Sequence, residues 1–327
     1  MIQEVFNLSR TFQPAGASRF MLRRHPLSPV LRPNPLRPWE ALNVFNAAVI
    51  RHAGLFHMHY RAQGIDFVSS IGYAVSTDGL NWNKLEHPVL APQEDYESRG
   101  VEDPRVTWHT EDGCFYMAYT AFSPLGIMPC LARSGNLIEW ERLGPVIRGE
   151  NNKDHVLFPR KIGGRYAMFH RRPPHIWIAY SDDLINWDSD RIVMSPRPHN
   201  LGWDEKRIGA GGVPIETPDG WLVLYHAYDN RHVYRLSAAL LDLEDPSRVL
   251  ARPRTYLMEP TETWEIRGDV PNVCFSCANP VVGADVWVYY GGADRMVGLA
   301  TCTLTELMAF VKTAPGDPTW AAEDSPE

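Results

Sequence analysis

A short segment rich in aromatic and β-branched residues recurs five times along the chain, each time after a turn that contains Gly or Asp. The copies cover residues 56–61, 115–120, 166–171, 221–226 and 286–291. Their starts lie 51 to 65 residues apart, and another alternating segment follows each copy. A period on the order of 50 residues with several strands per unit is typical of propeller blades. The repeat therefore predicts an all-β fold, a five-bladed β-propeller.

One further apolar segment precedes each copy, and we expect it to form the innermost strand of its blade. The five segments cover residues 44–50, 101–108, 156–162, 210–216 and 270–278. Each carries polar, Gly or Pro residues near its start, where a strand tolerates them. Five such starts that meet on one axis predict a polar funnel, a concave place of the kind that ligands favour. The alternative interpretation is that the irregular starts have no chemical role.

A second repeated pattern places Ser six residues before Trp in three of the predicted blades. The pairs are Ser76 and Trp82, Ser134 and Trp140, and Ser181 and Trp187. Ser, Asp and Asn side chains in such a segment bond to nearby backbone groups, and the Trp ring covers the hairpin. The pattern predicts a structural turn at the outer edge of these blades.

The remainder of the 327-residue chain is predicted to add an arm and a tail to one propeller domain at residues 40–312. Residues 1–39 include a stretch rich in Pro and Arg, which favours an extended N-terminal arm over a helix. Residues 313–327 are polar and are expected to form a C-terminal tail with little order. We expect neither a secretory signal nor a membrane-spanning segment.

Charge and cysteine content narrow the function classes. A net charge of −7, from 39 acidic and 32 basic residues, does not favour a nucleic-acid surface. The five cysteines are an odd number, and Cys274 and Cys277 form a C-x-x-C motif without a second pair. We therefore expect no metal site, and free thiols in a reducing cytoplasm. Assembly into a homo-oligomer is compatible with the sequence, which contains no specific signal for it.

The strongest candidate for catalysis is the segment Glu102, Asp103, Pro104 and Arg105, at the start of the second innermost strand. A carboxylate held there beside a rigid proline is well placed to act as a general acid. The alternative is an ion pair between Asp103 and Arg105 that only stabilises the strand. The position of Asp103 on the predicted axis favours catalysis.

Cationic side chains are concentrated in the third and fourth units. They are Lys153, Arg160, His170, Arg171, Arg172, Lys206 and Arg207. Such a cluster at the mouth of a funnel can hold phosphate or a carboxylate. Because side chains alternate along a strand, His170 and Arg171 are expected to point to opposite faces. The alternative is a set of solvated strand ends that pair with Asp154, Asp204 and Glu205.

Polar side chains with both donors and acceptors occur at equivalent ends of the first and fifth units. They are Asn46, Arg61, Asn272 and Asp294. Beside Trp and Tyr rings, such groups suit a sugar. This composition fits a sugar-processing enzyme and also a lectin-like binding module.

Several motifs within residues 25–312 together resemble glycoside hydrolase family 130. They are Pro29–Pro33 with Trp39-Glu40, VFNAAVI at 44–50, GVEDPRV at 100–106, VLFPRKIGGRYAMFHR at 156–171, IGAGGVPIETPDGW at 208–221, DVPNVCFSCA at 269–278 and YYGGAD at 289–294. They follow one another in the order of that family, so the set is far more specific than any single motif. The resemblance implies a five-bladed propeller, in agreement with the repeat.

The family consists largely of inverting β-mannoside phosphorylases, with a smaller branch of β-1,2-mannosidases. The resemblance implies that Asp103 is the proton donor and acts through the O3 hydroxyl of the mannosyl ring. It assigns the binding of this ring to Asn46, Arg61, Asp103 and Asp294, with assistance from His226. Asn272 is added to the sugar-binding set from its position alone.

The positions that match phosphate-binding residues of the family are Arg171, Arg207 and Tyr234. The chain departs from the family in two places: residues 62–70 lack a phosphate-site Arg found in relatives, and Lys153-Asp154 replaces an Arg-Asn pair of some phosphorylases. His170, Lys153 and Lys206 are the candidates to replace the missing cation. Asp154 suits an anion site only if it pairs with Lys153.

A phosphorylase is the function that these residues favour. An inverting glycosidase needs an acid and also a base that activates water. A phosphorylase needs the acid and a cationic seat, because phosphate is already an anionic nucleophile. We therefore predict that inorganic phosphate, with no other cofactor, cleaves a terminal β-mannosyl linkage of an oligosaccharide with inversion and gives α-mannose 1-phosphate. The alternatives are an inverting β-mannosidase with Asp154, Glu205 or another acid as the base, and a sugar-binding propeller without turnover.

Overall fold

The computed structural model describes residues 22–147, 151–197 and 202–314, which form a five-bladed β-propeller. The strands of each blade run antiparallel, and the first two blades join through a parallel contact between Ser69 and Gly100. The predicted all-β fold is confirmed. Most of the predicted arm (1–21) and tail (315–327) lies outside the described residues. Within the described ranges, no helix has the length and apolar character needed to cross a membrane.

The strands are numbered along the chain. The arm contributes β1 (Arg23–Arg24), and the first blade contains β2 (Asn43–His52), β3 (Leu55–Gln63), β4 (Ser69–Ser76) and β5 (Asn83–Lys84). The second blade contains β6 (Gly100–His109), β7 (Cys114–Ser123), β8 (Gly126–Ser134) and β9 (Glu141–Pro145), and the third contains β10 (Lys153–Leu157), β11 (Tyr166–Arg172), β12 (His175–Ser181) and β13 (Trp187–Met194). The fourth blade contains β14 (Arg207–Ala210), β15 (Ile215–Thr217), β16 (Gly220–Tyr228), β17 (Tyr234–Leu241) and β18 (Val249–Ala251), and the fifth contains β19 (Cys274–Ala278), β20 (Val281–Val282), β21 (Asp285–Gly292) and β22 (Met296–Thr303). The helices are two 3-10 turns (Pro38–Glu40 and Asp95–Glu97), α1 (Thr263–Ile266) and α2 (Leu304–Lys312).

The five recurring segments form the second strands of their blades, namely β3, β7, β11, β16 and β21. The innermost strands match the predicted segments in the first two blades and differ in the other three. In the third blade, β10 ends at Leu157, before Pro159, and in the fifth, β19 begins only at Cys274, after Pro271. A proline lacks the N–H group that a sheet ladder uses, which explains both limits.

The fourth innermost strand, predicted at residues 210–216, is interrupted in the structure. β14 ends at Ala210, and β15 begins at Ile215. The guanidinium of Arg105 donates to the carbonyls of Ala210 and Gly211 at 2.9 and 2.8 Å. These two carbonyls therefore bond to a side chain of another blade. Arg105 also donates to the backbone carbonyl of Asp103 at 3.0 Å. It therefore ties the second blade to the fourth, which replaces the predicted alternative of an ion pair with the Asp103 carboxylate.

The described part of the N-terminal arm closes the propeller. β1 pairs with β22, with Arg23 opposite Thr301, so the beginning of the chain supplies the outermost strand of the last blade. Next to it, Arg24 pairs at 2.7 Å with Glu265, whose side chain is fully buried. The ring cannot open between its first and last blades without breaking these contacts.

Three innermost strands carry a β-bulge at the same place. The register shifts in the pairing of β2 with β3, of β6 with β7 and of β10 with β11. Within the bulges, Asn46, Asp103 and Asp154 have left-handed backbones with φ values of 47°, 50° and 54°. A bulge redirects a side chain from the normal alternation of a strand. The fold thereby presents three polar side chains from three blades near the axis.

A buried glutamate from a linker bonds to a tyrosine of the second strand in three blades. The pairs are Tyr60 with Glu40, Tyr119 with Glu97 and Tyr290 with Glu265, at 2.7 to 2.8 Å. Each glutamate is fully buried and also pairs with a cation. On the first-blade strand, Arg61 follows Tyr60 and points to the opposite face. The tyrosine contacts therefore fix the strands that carry axis-facing side chains.

The predicted serine turns form the local bonds expected of them. The hydroxyls of Ser76, Ser134 and Ser181 each accept from the backbone N–H three residues further on, at 2.8 to 2.9 Å. These bonds hold the turn after the third strand in each of the first three blades. Their role is structural.

Candidate active site

A cavity of about 390 Å³ lies at the centre of the propeller, beside the three bulges, and residues of all five blades line it. Its polar lining is Asn46, Arg61, Asp103, Asn151, Lys153, Arg171, Arg207, Tyr234 and Asp294. The volume falls within the range of small-molecule sites. Most of its charged groups come from first strands, second strands or the loops that follow second strands.

Asp103 lines this cavity, and its side chain is only 1% exposed. Asn46 donates to its Oδ1 at 2.8 Å, and Arg61 pairs with the same oxygen at 3.1 Å. The Lys153 ammonium lies 3.0 Å from Oδ2. Burial by itself would raise the pKa of Asp103, but Lys153, Arg61 and the Asn46 amide together hold it well below its usual value. In the free protein Asp103 is therefore a carboxylate, fixed by donors on both oxygens.

The first and fifth blades form one wall of the cavity. Arg61 is held by Glu102 at 2.8 Å and by the Ser69 hydroxyl at 2.8 Å, so its position is set from two sides. Burial raises the pKa of Asp294 to about 7, although Arg61 opposes this shift. A Cβ on Gly291 would lie 2.3 Å from Oδ1 of Asn46, so glycine is needed for Asn46 to approach. This wall offers donors and acceptors to a sugar ring.

The third and fourth blades form the opposite, cationic wall. Arg207 lies over the ring of Tyr228 at 5.5 Å, and no carboxylate of the described residues is within ion-pair distance of it. Burial raises the pKa of Tyr234 to about 12, so its hydroxyl remains a donor at neutral pH. Together with Arg171, these groups supply the N–H and O–H donors that an anion requires, and the three residues are a candidate anion seat.

Asp154 lies behind this wall, fully buried. Its Oδ2 pairs with Arg171 and lies 3.2 Å from Nε2 of His226, and its Oδ1 is 3.6 Å from Arg105. Burial would raise the pKa of Asp154, but these three groups hold it far below its usual value. Gly209 permits the arrangement, since a Cβ there would lie 2.4 Å from the Asp154 carboxylate. Asp154 is compatible with an anion site because it pairs with Arg171; the predicted partner, Lys153, pairs with Asp103 instead.

The cavity brings together eight of the predicted site residues and leaves three outside its lining. The eight are Asn46, Arg61, Asp103, Lys153, Arg171, Arg207, Tyr234 and Asp294. His170 is fully buried on the other face of β11, where its ring meets Asn152 at 2.8 Å and Asp190 at 3.6 Å. The alternation of the strand, which separates His170 from Arg171, is the physical reason.

His226 and Asn272 are the other two residues outside the lining. His226 is 1% exposed, packs with its ring centroid 4.1 Å from that of Phe275, and lies with Nε2 3.2 Å from Oδ2 of Asp154. The backbone carbonyl of Asn272 accepts from Tyr234 at 2.9 Å, which helps to place the tyrosine. Both residues therefore contact members of the site without lining the cavity.

Several residues of the site are absent from the set that was predicted to bind sugar or phosphate. The apolar part of the lining is Ile127, Pro173, Val270, Val273 and Phe275. Asp154 is a supporting residue, and its place in a third bulge corresponds to those of Asn46 and Asp103, a signal that alignment of the units could have found. In the described parts of the chain, no three His, Cys, Asp or Glu side chains are grouped to hold a metal ion.

Comparisons with known proteins agree with this geometry. The family model of glycoside hydrolase family 130, described as beta-1,4-mannooligosaccharide phosphorylase, matches residues 21–313. The chain belongs to glycoside hydrolase family 130. The match covers all five blades of the propeller and every polar residue of the cavity lining.

Two relatives of this family 130 protein come from Thermoanaerobacter sp. (strain X514). A 1,2-beta-oligomannan phosphorylase is 47% identical over 296 residues, which cover 88% of this chain and 98% of the relative. A beta-1,2-mannobiose phosphorylase is 46% identical over 297 residues, which cover 86% and 97%. Among solved structures, the beta-1,2-mannobiose phosphorylase of Listeria innocua in complex with beta-1,2-mannobiose has a TM-score of 0.82 and 27% identity, covering 89% of this chain and 99% of that one.

Proposed function

We propose that this family 130 protein is a β-mannoside phosphorylase that cleaves a terminal β-mannosyl linkage with inorganic phosphate and inversion, giving α-mannose 1-phosphate. The observation that carries the proposal is a single cavity with Asp103 near one wall and the cations Arg171 and Arg207 on another. An acid and an anion seat on either side of a sugar-sized space are what phosphorolysis requires. The names of the relatives support phosphorylase activity on β-mannosides.

In this mechanism the mannosyl ring lies against Asn46, Arg61, Asp103 and Asp294. Asp103 supplies the proton that the leaving sugar needs, through the O3 hydroxyl of the ring. Phosphate binds on the cationic wall and attacks the anomeric carbon from the side opposite the leaving oxygen, which inverts the configuration. Arg171, Arg207 and Tyr234 hold the phosphate in line and offset its charge.

We propose a β-1,2 linkage as the one cleaved. Both Thermoanaerobacter relatives carry this linkage in their names, and the alignments cover 98% and 97% of their lengths. The propeller closely matches that of the Listeria enzyme, which is in complex with beta-1,2-mannobiose. β-1,2-Mannobiose and longer β-1,2-linked oligomannosides are therefore the first substrates to test.

The alternative of hydrolysis receives no support from the two acids considered as its base. Asp154 is enclosed behind Arg171. Glu205 bonds to Asn230 at 2.7 Å and is not part of the cavity lining. Phosphate, in contrast, needs no base in order to attack.

The test is to incubate the enzyme with β-1,2-mannobiose in the presence and absence of phosphate. We expect consumption to depend on phosphate and to give equal amounts of mannose and mannose 1-phosphate. Free mannose alone, at equal rates in both mixtures, would refute phosphorolysis in favour of hydrolysis. Binding of mannobiose without turnover in either mixture would support the sugar-binding module.

We also propose that the enzyme works in the cytoplasm with phosphate as its only co-reactant. The support is chemical: Cys274, Cys277 and Cys302 are buried free thiols, and burial raises the pKa of Cys277 to about 12. Buried unpaired thiols suit a reducing compartment. Localisation of the tagged protein in its source cells tests this part.

A further inference from the structure

Lys153 lies between Asp103, the proposed acid, and Arg171, a member of the proposed anion seat. Its ammonium is 3.0 Å from Oδ2 of Asp103 and 4.0 Å from Glu102, and it lines the cavity. On the sheet, Lys153 is directly opposite Arg171 in the pairing of β10 with β11. Opposite residues of antiparallel strands share a face, with Cβ atoms about 5 Å apart. An anion held by Arg171 is therefore within reach of Lys153.

Arg61 and Arg171 are held by fixed partners, whereas Lys153 has a flexible stem and, among the described residues, forms ion pairs only with Glu102 and Asp103. Arg171 is bound to Asp154, and Arg61 is bound to Ser69 and Glu102. A lysine carries its charge as a point on a chain of four methylene groups and can change partners by rotation. Among the cations near Asp103, Lys153 is thus the one that can move to an incoming anion.

Lys153 must move away from Asp103 before Asp103 can take up and donate a proton. Asn46 on β2, Arg61 on β3 and Lys153 on β10 all stabilise the charged form of Asp103. Glu102, the preceding residue on β6, forms an ion pair with Arg61. A carboxylate with three donors has no proton to give.

Two further carboxylates carry negative charges that favour the neutral form of Asp103. Asp294, after β21, lies in the cavity wall, and Asp154 lies on β10 next to Lys153. Arg105, on the same strand as Asp103, contacts its backbone carbonyl and leaves its carboxylate oxygens to the other donors. Loss of the Lys153 contact would therefore shift Asp103 toward its neutral form.

We propose that Lys153 is shared between the two sites: it pairs with Asp103 in the free enzyme, a bound phosphate draws it away, and Asp103 then takes up the proton that it later donates. This inference rests on the proposed phosphorylase function. Phosphate enters as H₂PO₄⁻ and transfers one proton to the Asp103 carboxylate, which leaves HPO₄²⁻ and a neutral carboxyl group. The co-substrate thus supplies both the nucleophile and the proton.

The step balances. Asp103 passes the proton by way of the mannosyl O3 hydroxyl to the glycosidic oxygen, and the bond from this oxygen to the anomeric carbon breaks. An oxygen of HPO₄²⁻ forms the new bond to that carbon. The products are the free acceptor sugar and mannose 1-phosphate as a monoanion, and Asp103 returns to its charged form beside Lys153. One negative charge enters and one leaves, so no outside acid or base is needed.

The test is to count the protons taken up when an anion binds, using sulfate as the probe because it remains a dianion near neutral pH. Titration calorimetry at pH 6 with mannose present, in buffers of different ionisation enthalpy, gives this number. We expect net proton uptake by the wild-type enzyme and its loss in Asp103→Asn. Lys153→Met should reduce the uptake, Lys153→Arg should restore part of it, and Lys312→Met, a surface control, should leave it unchanged. No uptake by the wild type, or equal uptake by Asp103→Asn or Lys153→Met, would overturn the inference.

A second measurement does not depend on anion binding. Carbon-13 NMR titration of the Asp103 carboxyl should give a higher pKa in Lys153→Met than in the wild type, because a cation has been removed. An unchanged pKa would also overturn the inference. Formation of mannose 1-phosphate by an enzyme that takes up no proton would refute the inference alone, whereas failure to form it would refute the proposed function.

Discussion

At the residue scale, the site depends on Asp103, a carboxylate that the surrounding side chains already hold in place in the free protein. Asp103 has a left-handed backbone, and its two oxygens are held by Asn46, Arg61 and Lys153. Backbones of this kind cost free energy and persist where the surrounding structure enforces them, often at active sites. Here the bulge of β6 and the hydrogen bond from Arg105 to the Asp103 carbonyl hold the backbone of Asp103 in this conformation.

Replacement of Asp103 by Asn keeps the size of the side chain and removes its ability to carry a transferable proton. We expect kcat for mannose 1-phosphate formation to fall by about 10²- to 10⁴-fold, the usual contribution of a general acid. Initial rates of product formation measure this, with a thermal melt to show that the variant is folded. A folded variant that keeps most of the wild-type rate would show that Asp103 is not the acid.

Arg207 offers a cleaner test of the anion seat than Arg171, because Arg171 also neutralises buried Asp154. We expect Arg207→Ala to raise KM for phosphate by about 10- to 100-fold, as the loss of a hydrogen bond to a charged group implies, with a smaller effect on KM for mannobiose. Arg133→Ala, at an exposed ion pair with Glu141, is the matched control. Unchanged phosphate dependence in Arg207→Ala would remove this residue from the seat.

The sequence predicts much of the cavity lining but not the buried residues that hold the lining in place. Asn46, Arg61 and Asp294 were predictable because they are polar residues in otherwise apolar segments near the predicted axis, and because they match sugar-binding positions of the family. The separation of His170 from Arg171 follows from alternation. The burial of His226 does not, because it depends on Asp154 and on the space left by Gly209, a contact between two blades.

At the element scale, the bulges decide which side chains reach the axis. Asn46, Asp103 and Asp154 occupy the same place in β2, β6 and β10, yet their sequence neighbours differ. A bulge is set by the pairing of two strands, so a single strand sequence does not reveal it. The limits of β10 and β19 follow from prolines, whereas the interruption after β14 follows from the side chain of Arg105.

The bonds between tyrosine and glutamate hold the linkers to the second strands. We expect Tyr119→Phe to lower the free energy of unfolding by about 1.5 to 3 kcal/mol, because the hydroxyl donates to the buried carboxylate of Glu97. Urea unfolding measures this change. Tyr96→Phe is the matched control, since the Tyr96 hydroxyl makes no hydrogen bond within the described residues. Equal effects of the two variants would contradict a specific role for the Tyr119 bond.

At the scale of the whole molecule, the number of blades was predictable and the closure of the ring was not. The five-fold repeat gives the architecture because every blade repeats one strand order. The arm was predicted to be extended, but its pairing with β22 joins residues at opposite ends of the chain, and no local pattern indicates such a contact. The fold therefore follows from periodicity, and its closure follows from long-range packing.

Adjacent arginines of β1 allow a matched test of this closure. Arg24→Ala leaves the carboxylate of Glu265 buried with one charge partner fewer, and we expect the free energy of unfolding to fall by about 3 kcal/mol. Arg23→Ala removes only an exposed pair with Glu306 and should have a much smaller effect. Urea unfolding of both variants gives the comparison. Similar losses in both would mean that the buried pair does not secure the ring.

The most direct measurement of the central claim is the position of phosphate in a crystal of the enzyme grown with this anion. The phosphate should lie in the axial cavity, with its oxygens within hydrogen-bond distance of the guanidinium groups of Arg171 and Arg207, and with room for a sugar ring between it and Asp103. A phosphate bound elsewhere, with these two arginines free of it, would contradict the account.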